Sequence, residues 1–259
     1  MLIVMDVGNT HMCFGVYQGS DLLREFRVST NRKATADELG VLLRGLLHGV
    51  HGAPVWEGVV IASVVPEMDL PLTEAVQRQL RVPVLSVTPD MPLPIRNAYR
   101  PPEAVGADRL MNAVAAVNEF GAPVLIVDFG TATTIDAVAR GRVYQGGAIM
   151  PGLLLSADAL SRGTALLPRV ELRPPSQALG RNTEESLQSG ILLGAAGAVS
   201  KIVADIRRRW GQRVPVVATG GLASLVRPFC PVLRHHRPHL TLEGLRLTWL
   251  HHSRRSGRR

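Results

Sequence analysis

The sequence predicts an α/β protein made of two similar halves, each a mixed sheet covered by helices. An apolar run followed by Asp-x-Gly occurs at 2–8 and again at 124–130, and a glycine closes the second strand at the same spacing, at Gly19 and Gly141. The first half then alternates strand and helix patterns, in an order typical of a mixed sheet with helices packed on it. We therefore expect two copies of one structural unit.

The elements of the first half follow from periodicity and turn signals. Apolar runs flank Gly8-Asn9, which predicts strand, tight turn, strand. Thr35 to Glu38 has the form of a capping box, which marks a helix start. The remaining predictions are a helix over 36–49, a buried strand over 59–66, a helix over 71–80, a strand over 82–87 and a Pro-rich loop over 88–102.

The second half repeats the hairpin and adds a long helix. Asp108 lies at or near the start of a helix that leads into this half, where an ordinary N-cap is the simplest interpretation. The patterns predict strands over 124–128 and 133–138, a third strand from 143 that breaks into a glycine-rich turn over 146–152, a helix over 183–210 capped by Asn182, and a strand over 214–218. Small residues along one flank of the long helix allow close approach of another helix, within the fold or from a second subunit.

Composition and charge narrow the class of protein. The chain has 259 residues and a net charge of +8, half of which comes from four arginines after residue 253, so we expect a solvated basic tail and no nucleic-acid partner. Its only lysines are Lys33 and Lys201, and no Walker P-loop motif is present. Cys13 and Cys230 lack metal-binding spacing, which indicates reduced cytoplasmic thiols. Neither a signal peptide nor a membrane span is predicted.

The two Asp-x-Gly turns are candidate phosphate sites. Such a turn points backbone N–H groups into one small space beside a carboxylate, which suits a phosphate and its metal ion. Asp6-Val-Gly8 alone is more typical of an inert hairpin, and the second copy shifts the balance to the functional interpretation. Thr219-Gly-Gly221 lies between a buried strand and a helix, where a nucleotide commonly rests on backbone amides.

Taken together, these motifs resemble the type III pantothenate kinases of the actin, Hsp70 and sugar-kinase superfamily. The resemblance covers nearly the whole chain, through Asp6 to Thr10, Ser63 to Pro66, Asn97 to Tyr99, Gly106 to Arg109, Asp128 to Ala132, Gly146 to Gly152, Thr183 and Thr219 to Gly221. It implies two ribonuclease H-like (actin-like ATPase) domains over 1–117 and 118–250. The segment over 251–259 departs from the family pattern, and its arginines predict a disordered basic tail. It also implies ATP-dependent phosphorylation of pantothenate to 4′-phosphopantothenate, the first step of coenzyme A biosynthesis, in the cytoplasm.

The resemblance also implies a role for particular residues. Asp108 looks like the catalytic base that accepts or orients the proton of the pantothenate hydroxyl. Contacts to pantothenate are implied for Tyr99, Gly106, Ala107, Asp108, Arg109 and Thr183. Contacts to ATP are implied for Asp6, Val7, Gly8, Asn9, Thr10, His11, Gly130, Thr131, Gly220 and Gly221.

Cations and a second subunit are implied in the same way. The divalent metal, Mg²⁺, is expected at Asp6, and a monovalent cation, K⁺ or NH₄⁺, at Asp128. Members of the family are homodimers, which would give the small-residue flank of the long helix a partner.

Two alternatives remain open from the sequence. The family is similar to the Bvg accessory factor, a bacterial transcription accessory protein, so a noncatalytic regulator is one. The other is a kinase of the same superfamily that acts on another small molecule. Asp6, Asp108 and Asp128 are all present, which argues against a noncatalytic regulator. The Asn97 to Arg109 stretch has Tyr and Arg suited to an anionic substrate, which favours pantothenate kinase over a kinase of another small molecule.

Overall fold

The computed structural model describes residues 1–48, 50, 55–211 and 213–256, and it divides the chain into two compact units. Unit 1 comprises Met1–Ala115 with Leu240–Arg259, and unit 2 comprises Ala116–His239. The strands are β1 (Leu2–Val7), β2 (His11–Gln18), β3 (Asp21–Ser29), β4 (Gly58–Ser63), β5 (Val84–Ser86), β6 (Arg96–Asn97), β7 (Val124–Phe129), β8 (Ala132–Ala139), β9 (Val143–Pro151), β10 (Val216–Thr219) and β11 (His235–His236). The α-helices are α1 (Ala36–Leu47), α2 (Pro66–Leu80), α3 (Ala107–Phe120), α4 (Leu153–Gly163), α5 (Thr183–Trp210), α6 (Ala223–Val226) and α7 (Leu240–Ser256), with short 3₁₀ turns at Pro102–Ala104 and Arg227–Phe229.

Unit 1 is a mixed sheet with helices on both faces. Its strands run in the order β3-β2-β1-β4-β5, where β1 pairs antiparallel with β2 and parallel with β4. One face of β1 packs with α1 and α2 in a core that includes Met5, Leu43 and Met68. On the other face, Leu242 of α7 lies beside Gly15 of β2. Each face of the sheet is therefore covered, as the alternation of strand and helix patterns predicts.

Unit 2 repeats this arrangement. Its strands run in the order β11-β10-β7-β8-β9, with β7 antiparallel to β8 and parallel to β10. One face of the sheet packs against α5 in a core that includes Val127, Ile135 and Val199. The predicted α/β class with two similar mixed sheets is confirmed.

Several helix ends agree with the sequence prediction, and one differs. Thr35 caps α1 with a complete capping box, and the Asn182 side chain accepts a hydrogen bond from the Glu185 amide at the start of α5. Gly49, the predicted end of α1, lies outside the described residues. Helix α2 begins at Pro66, earlier than predicted, because a proline that cannot continue a central strand is well suited to the first turn of a helix.

The glycine-rich stretch after 143 is not a turn. Strand β9 continues to Pro151, and Gly146 has φ +107° where the register between β8 and β9 shifts by one residue. A side chain at Gly147 would strike the backbone of Ile135 on the neighbouring strand. The glycines therefore serve a β-bulge and a close backbone approach rather than a chain reversal.

The C-terminal segment belongs to unit 1, which differs from the predicted boundary at 118–250. Gly244 lets α7 lie directly against the Met111 backbone, and the Trp249 ring covers Gly58. Thr241 also donates a hydrogen bond to the Asn112 side chain at 2.8 Å. Helix α7 continues through Ser256, so most of the predicted disordered tail over 251–259 is helical, and the last three residues lie outside the described residues.

Among the described helices, α5 has the length and apolar composition of a possible membrane span. One such helix is weak evidence for a membrane protein, because core helices of globular proteins share these properties. Leu192, Val199 and Val203 of α5 are fully buried against the sheet of unit 2.

Candidate functional site

The turn between β1 and β2 is tied to β3 through its carbonyl groups. The Gly8 amide donates to the His11 carbonyl at 3.0 Å. Thr30 donates hydrogen bonds to two carbonyls of the turn: its hydroxyl donates to Gly8 O at 2.6 Å, and its amide donates to Thr10 O at 3.0 Å. The acceptor side of the turn therefore faces the sheet. Thr30 carried no sequence signal, because its role depends on the pairing of β2 with β3.

Two arginines give the same turn a positive surround. Arg32 donates to the Asn9 side-chain oxygen at 2.7 Å, and the Arg27 guanidinium lies 3.1 Å from His11 Nδ1. Burial, and then the nearby Arg27, lowers the pKa of His11, which favours the neutral imidazole. Asn9 and Thr10 are exposed, so the turn presents exposed backbone in a cationic environment, which suits a phosphate group.

Asp108 occupies the first turn of α3, close to the end of β1. Its carboxylate accepts a hydrogen bond from the Arg109 amide at 2.8 Å, and a helix N-terminus stabilises negative charge. A side chain at Gly106 would strike the Asp108 carboxylate, so glycine at this position lets the carboxylate keep its place. Val64 joins the two regions, because its amide donates to Val7 O at 3.0 Å and its side chain lies 3.4 Å from the Cβ position of Gly106.

The loop before α3 positions an aromatic–guanidinium pair. The Asn97 side chain accepts from the Tyr99 amide at 3.0 Å and donates to Pro102 O at 2.9 Å, which fixes the loop over 97–102. The Arg109 guanidinium lies 5.7 Å from the centre of the Tyr99 ring, and Arg109 is only 7% exposed. A buried, stacked guanidinium is a strong recognition element for a planar anion such as a carboxylate.

The second Asp-x-Gly turn, in unit 2, packs directly on the turn after β10. A Cβ at Gly220 would strike the Asp128 carboxylate and lie 2.6 Å from the Phe129 N and C atoms. Gly220 has φ +87°, which favours glycine independently of these contacts. The Leu222 amide donates to Phe129 O at 3.3 Å, so the two turns are also joined through the backbone.

Gly152 supports this turn from the other side. A side chain there would strike the Thr131 carbonyl and lie 2.7 Å from the Gly130 carbonyl, so the start of α4 can approach the turn only because residue 152 is glycine. Thr131 and Gly221 are exposed next to this cluster. Thr183 is the first residue of α5 and is also exposed.

The structure thus groups the predicted site residues within each unit. In unit 1, the turn over 6–11 and the Gly106 to Arg109 segment lie at the same end of the sheet. In unit 2, Asp128, Gly130 and Gly220 converge. Among the described residues there is no group of three or more His, Cys, Asp or Glu suited to a metal ion. A cation at Asp6 or Asp128 would therefore take at most two ligands of these residue types from the described part of the chain, and other oxygens would complete its coordination.

Two mixed sheets of matching topology, each with a glycine turn beside a carboxylate, define the fold of actin-like ATPases and sugar kinases. Solved structures agree on the fold. A Baf family transcriptional activator from Campylobacter jejuni superimposes with TM-score 0.62 at 16% identity, over 97% of this chain and 99% of that one. The ROK hexokinase from Thermus thermophilus gives TM-score 0.51 at 18% identity, over 97% and 99% of the chains.

Within that class, the type III pantothenate kinase family model matches residues 2–205. The chain is 44% identical to the type III pantothenate kinase of Moorella thermoacetica, over 96% of this chain and 98% of that protein. It is 41% identical to the enzyme of the same name from Brevibacillus brevis, with the same coverage. The chain belongs to the type III pantothenate kinase family.

Proposed function

We propose that this protein transfers the γ-phosphoryl group of ATP to pantothenate, giving 4′-phosphopantothenate and thereby starting coenzyme A biosynthesis in the cytoplasm. Family membership over nearly the whole chain supports the substrate. The observation that carries the chemistry is Asp108, a carboxylate held by the Arg109 amide in the first turn of α3, whose start is linked to the end of β1 through Val64. A noncatalytic regulator and a kinase of another small molecule have less support, because relatives at 41–44% identity are named pantothenate kinases.

Phosphoryl transfer depends mainly on positioning and on neutralising charge. In unit 1, the backbone of Val7 to His11 would contact the ATP phosphates, and Asp6 would hold Mg²⁺, which supplies positive charge to the phosphate oxygens. The carbonyls of Gly8 and Thr10 are directed to Thr30, so the turn does not present them to an anion. In unit 2, Gly130 and Thr131 would contact phosphate, and Gly220 and Gly221 would lie against the adenosine.

Asp108 would orient the pantothenate hydroxyl and accept its proton as the new P–O bond forms. An ionised aspartate is a weak base at neutral pH, so alignment of the hydroxyl is its main contribution. Arg109, stacked on Tyr99, would bind the pantothenate carboxylate. Gly106, Ala107 and Thr183 would complete the substrate contacts.

Asp128 would hold a monovalent cation, K⁺ or NH₄⁺. Gly220 brings backbone against the Asp128 carboxylate with no room for a side chain, so the site is compact, and among the described residues it has no group of three or more His, Cys, Asp or Glu. A low charge with several oxygens suits a monovalent ion, although a divalent ion would use the same atom types.

A coupled assay of ADP release tests the function. We expect pantothenate-dependent turnover that rises when KCl replaces tetramethylammonium chloride. Asp108→Asn should lower kcat by about 10²-fold with little change in KM for ATP. Asp69→Asn is the matched control, since it makes the same change at an exposed first-turn position of α2. No pantothenate-dependent turnover with either monovalent cation would refute the function, and an Asp108→Asn enzyme as fast as wild type would remove Asp108 from the mechanism.

We also propose a homodimer formed through the flank of α5 in unit 2. Gly190, Gly194 and Gly197 are exposed on this helix, and nothing lies within 4 Å of their Cβ positions. A groove of about 360 Å³ runs beside them, lined in part by Met150 and Leu160. Large apolar side chains also lie exposed in the same unit, namely Ile149, Leu154 and Leu155, each more than half exposed. An exposed apolar surface with a shallow groove is typical of a protein interface.

The oligomeric state tests this surface. Gly194→Glu should shift the molar mass measured by light scattering from dimer to monomer, because a carboxylate would be buried without a partner. Gly45→Glu is the control, since Gly45 is also an exposed helical glycine, on α1 of unit 1, with open space at its Cβ position. Dissociation by both variants, or by neither, would contradict the assignment.

A further inference from the structure

A buried polar chain lies beside the second Asp-x-Gly turn. Asp136 on β8 is 0% exposed, and its carboxylate accepts hydrogen bonds from Thr134 Oγ1 at 3.1 Å and from Tyr144 OH at 2.5 Å. Tyr144 on β9 is also 0% exposed. Burying a carboxylate inside a unit is costly unless it is hydrogen-bonded, so this arrangement needs a reason beyond packing.

The pairing of β7 with β8 places this chain next to Asp128. Asp128 lies directly opposite Thr134 in the antiparallel register. Side chains alternate along a strand, so Asp128, Thr134 and Asp136 share one face of the sheet. Ile135 points to the other face, into the core that packs on α5. Directly opposite residues have Cβ atoms about 5 Å apart, so the Thr134 hydroxyl is a close neighbour of the Asp128 carboxylate.

Unit 1 provides an internal comparison, because the two halves repeat one topology. There Asp6 lies opposite Cys13, and the position that corresponds to Asp136 is Gly15, which lies opposite Val4. A side chain at Gly15 would lie 2.9 Å from Val4 Cγ2 and 3.3 Å from Leu242 Cδ1, so apolar groups fill that space. The fold itself therefore does not require the polar chain, and only the unit that carries Asp128 has it.

We propose that the Thr134 hydroxyl oxygen is a ligand of the cation at Asp128, held in orientation by Asp136 and Tyr144. A hydroxyl has one proton and two lone pairs. Its proton is directed to Asp136, so its lone pairs are available to a cation, and the Asp136 carboxylate adds negative charge behind it. Thr134 is then a cation ligand, while Asp136 and Tyr144 are positioning residues. The inference rests on the proposed cation at Asp128 and deepens that assignment.

Thermal unfolding without substrates tests this inference independently of activity. The melting temperature is followed as KCl replaces tetramethylammonium chloride at constant ionic strength, and the half-saturating K⁺ concentration is obtained for each variant. A ligand that binds only the folded state raises the melting temperature with concentration. Thr134→Val should raise the half-saturating K⁺ concentration by about 10-fold or more, and Thr134→Ser, which keeps the oxygen, should restore it.

Two further variants distinguish an effect on the orientation of the Thr134 hydroxyl from a general effect on folding. Tyr144→Phe keeps the ring and removes one donor to Asp136, so it should weaken K⁺ binding less than Thr134→Val. Thr133→Val is the matched control, since Thr133 is the same residue type, 1% exposed and next in sequence, and its buried hydroxyl has no hydrogen-bond partner among the described residues. It should leave the half-saturating concentration unchanged.

The results of this K⁺-binding test can be told apart from a failure of the proposed kinase activity. If Thr134→Val binds K⁺ as wild type does while Asp128→Asn does not, Thr134 is not a ligand and the inference is wrong. If neither K⁺ nor NH₄⁺ raises the wild-type melting temperature, the inference is also wrong. If K⁺ stabilises the protein and Thr134→Val weakens that effect, the inference stands, even should the protein fail to phosphorylate pantothenate.

Discussion

Gly220→Ala is expected to damage unit 2 more than an ordinary glycine substitution. The backbone at Gly220 has φ +87°, and a non-glycine residue in the left-handed region costs roughly 1–2 kcal/mol. The added methyl group would also lie 2.6 Å from the N and C atoms of Phe129 and strike the Asp128 carboxylate. Backbone atoms at a strand end cannot move aside as a flexible side chain can, and overpacking of this kind costs roughly 1–3 kcal/mol. The expected loss in the free energy of unfolding is about 2–5 kcal/mol.

Gly121→Ala isolates the steric part of that loss. Gly121 lies just after α3 in the same unit and has φ +73°, but nothing lies within 4 Å of its Cβ position. It should therefore lose only the backbone contribution, roughly 1–2 kcal/mol. Urea unfolding of both variants and of wild type gives the two differences under the same conditions.

The same substitution should weaken ATP binding, because relief of the contact moves either the Gly220 turn or Asp128. A displacement that costs about 1.4 kcal/mol of binding would raise KM for ATP about tenfold. Gly121→Ala should leave KM for ATP close to wild type. Equal destabilisation by Gly220→Ala and Gly121→Ala would refute the close packing of the Gly220 turn on β7. An unchanged KM for ATP in Gly220→Ala would show that this turn does not contribute to ATP binding.

Two smaller changes test local electrostatics in unit 1. Thr35→Ala removes the side-chain cap of α1 and should cost about 1 kcal/mol of unfolding free energy. Hydrogen bonds from the Thr35 amide and then from its hydroxyl lower the pKa of Glu38, so the stabilisation that Glu38 contributes is present above its unfolded pKa and is lost as pH falls through the folded value. The variant keeps the amide and loses the hydroxyl, so urea unfolding at several pH values should show a weaker pH dependence than in wild type. Arg27→Gln should raise the pKa of His11 towards its ordinary value, since burial and then Arg27 lower it. Because the folded state favours the neutral imidazole, the stability that His11 contributes falls as pH falls from its unfolded pKa to the lower folded value. An NMR titration of the His11 ring that shows no change in the variant would contradict the Arg27 contact.

Much of the fold was predictable because its signals are local. The apolar runs that end at Asp6 and Asp128 predict both hairpins, and the capping residues Thr35 and Asn182 mark the starts of α1 and α5. Strand β9 was the main error within an element, since a glycine pattern alone does not distinguish a turn from a bulge. Only the neighbouring strand, whose backbone lies against Gly147, shows which one is present.

The candidate site was predictable in its residue types and only partly in its arrangement. From the sequence, Asp108 could equally be an ordinary helix N-cap. Its position near the end of β1 depends on Val64, which contacts Val7 and lies close to Gly106. Thr30 carried no signal, because its hydrogen bonds to the first turn form only when β3 pairs with β2. The assignment to pantothenate came from the resemblance of the whole motif series rather than from any single group.

The sequence by itself determined the two-unit α/β architecture, the glycine turns and the carboxylates beside them, because strand alternation, helix periodicity and turn chemistry are properties of neighbouring residues. Tertiary structure decided that α7, last in the chain, packs in unit 1, through contacts such as Trp249 on Gly58. It also decided that Thr134, Asp136 and Tyr144 form one chain beside Asp128. Such contacts join residues far apart in sequence or on different strands, so they depend on register and packing, which no local pattern specifies.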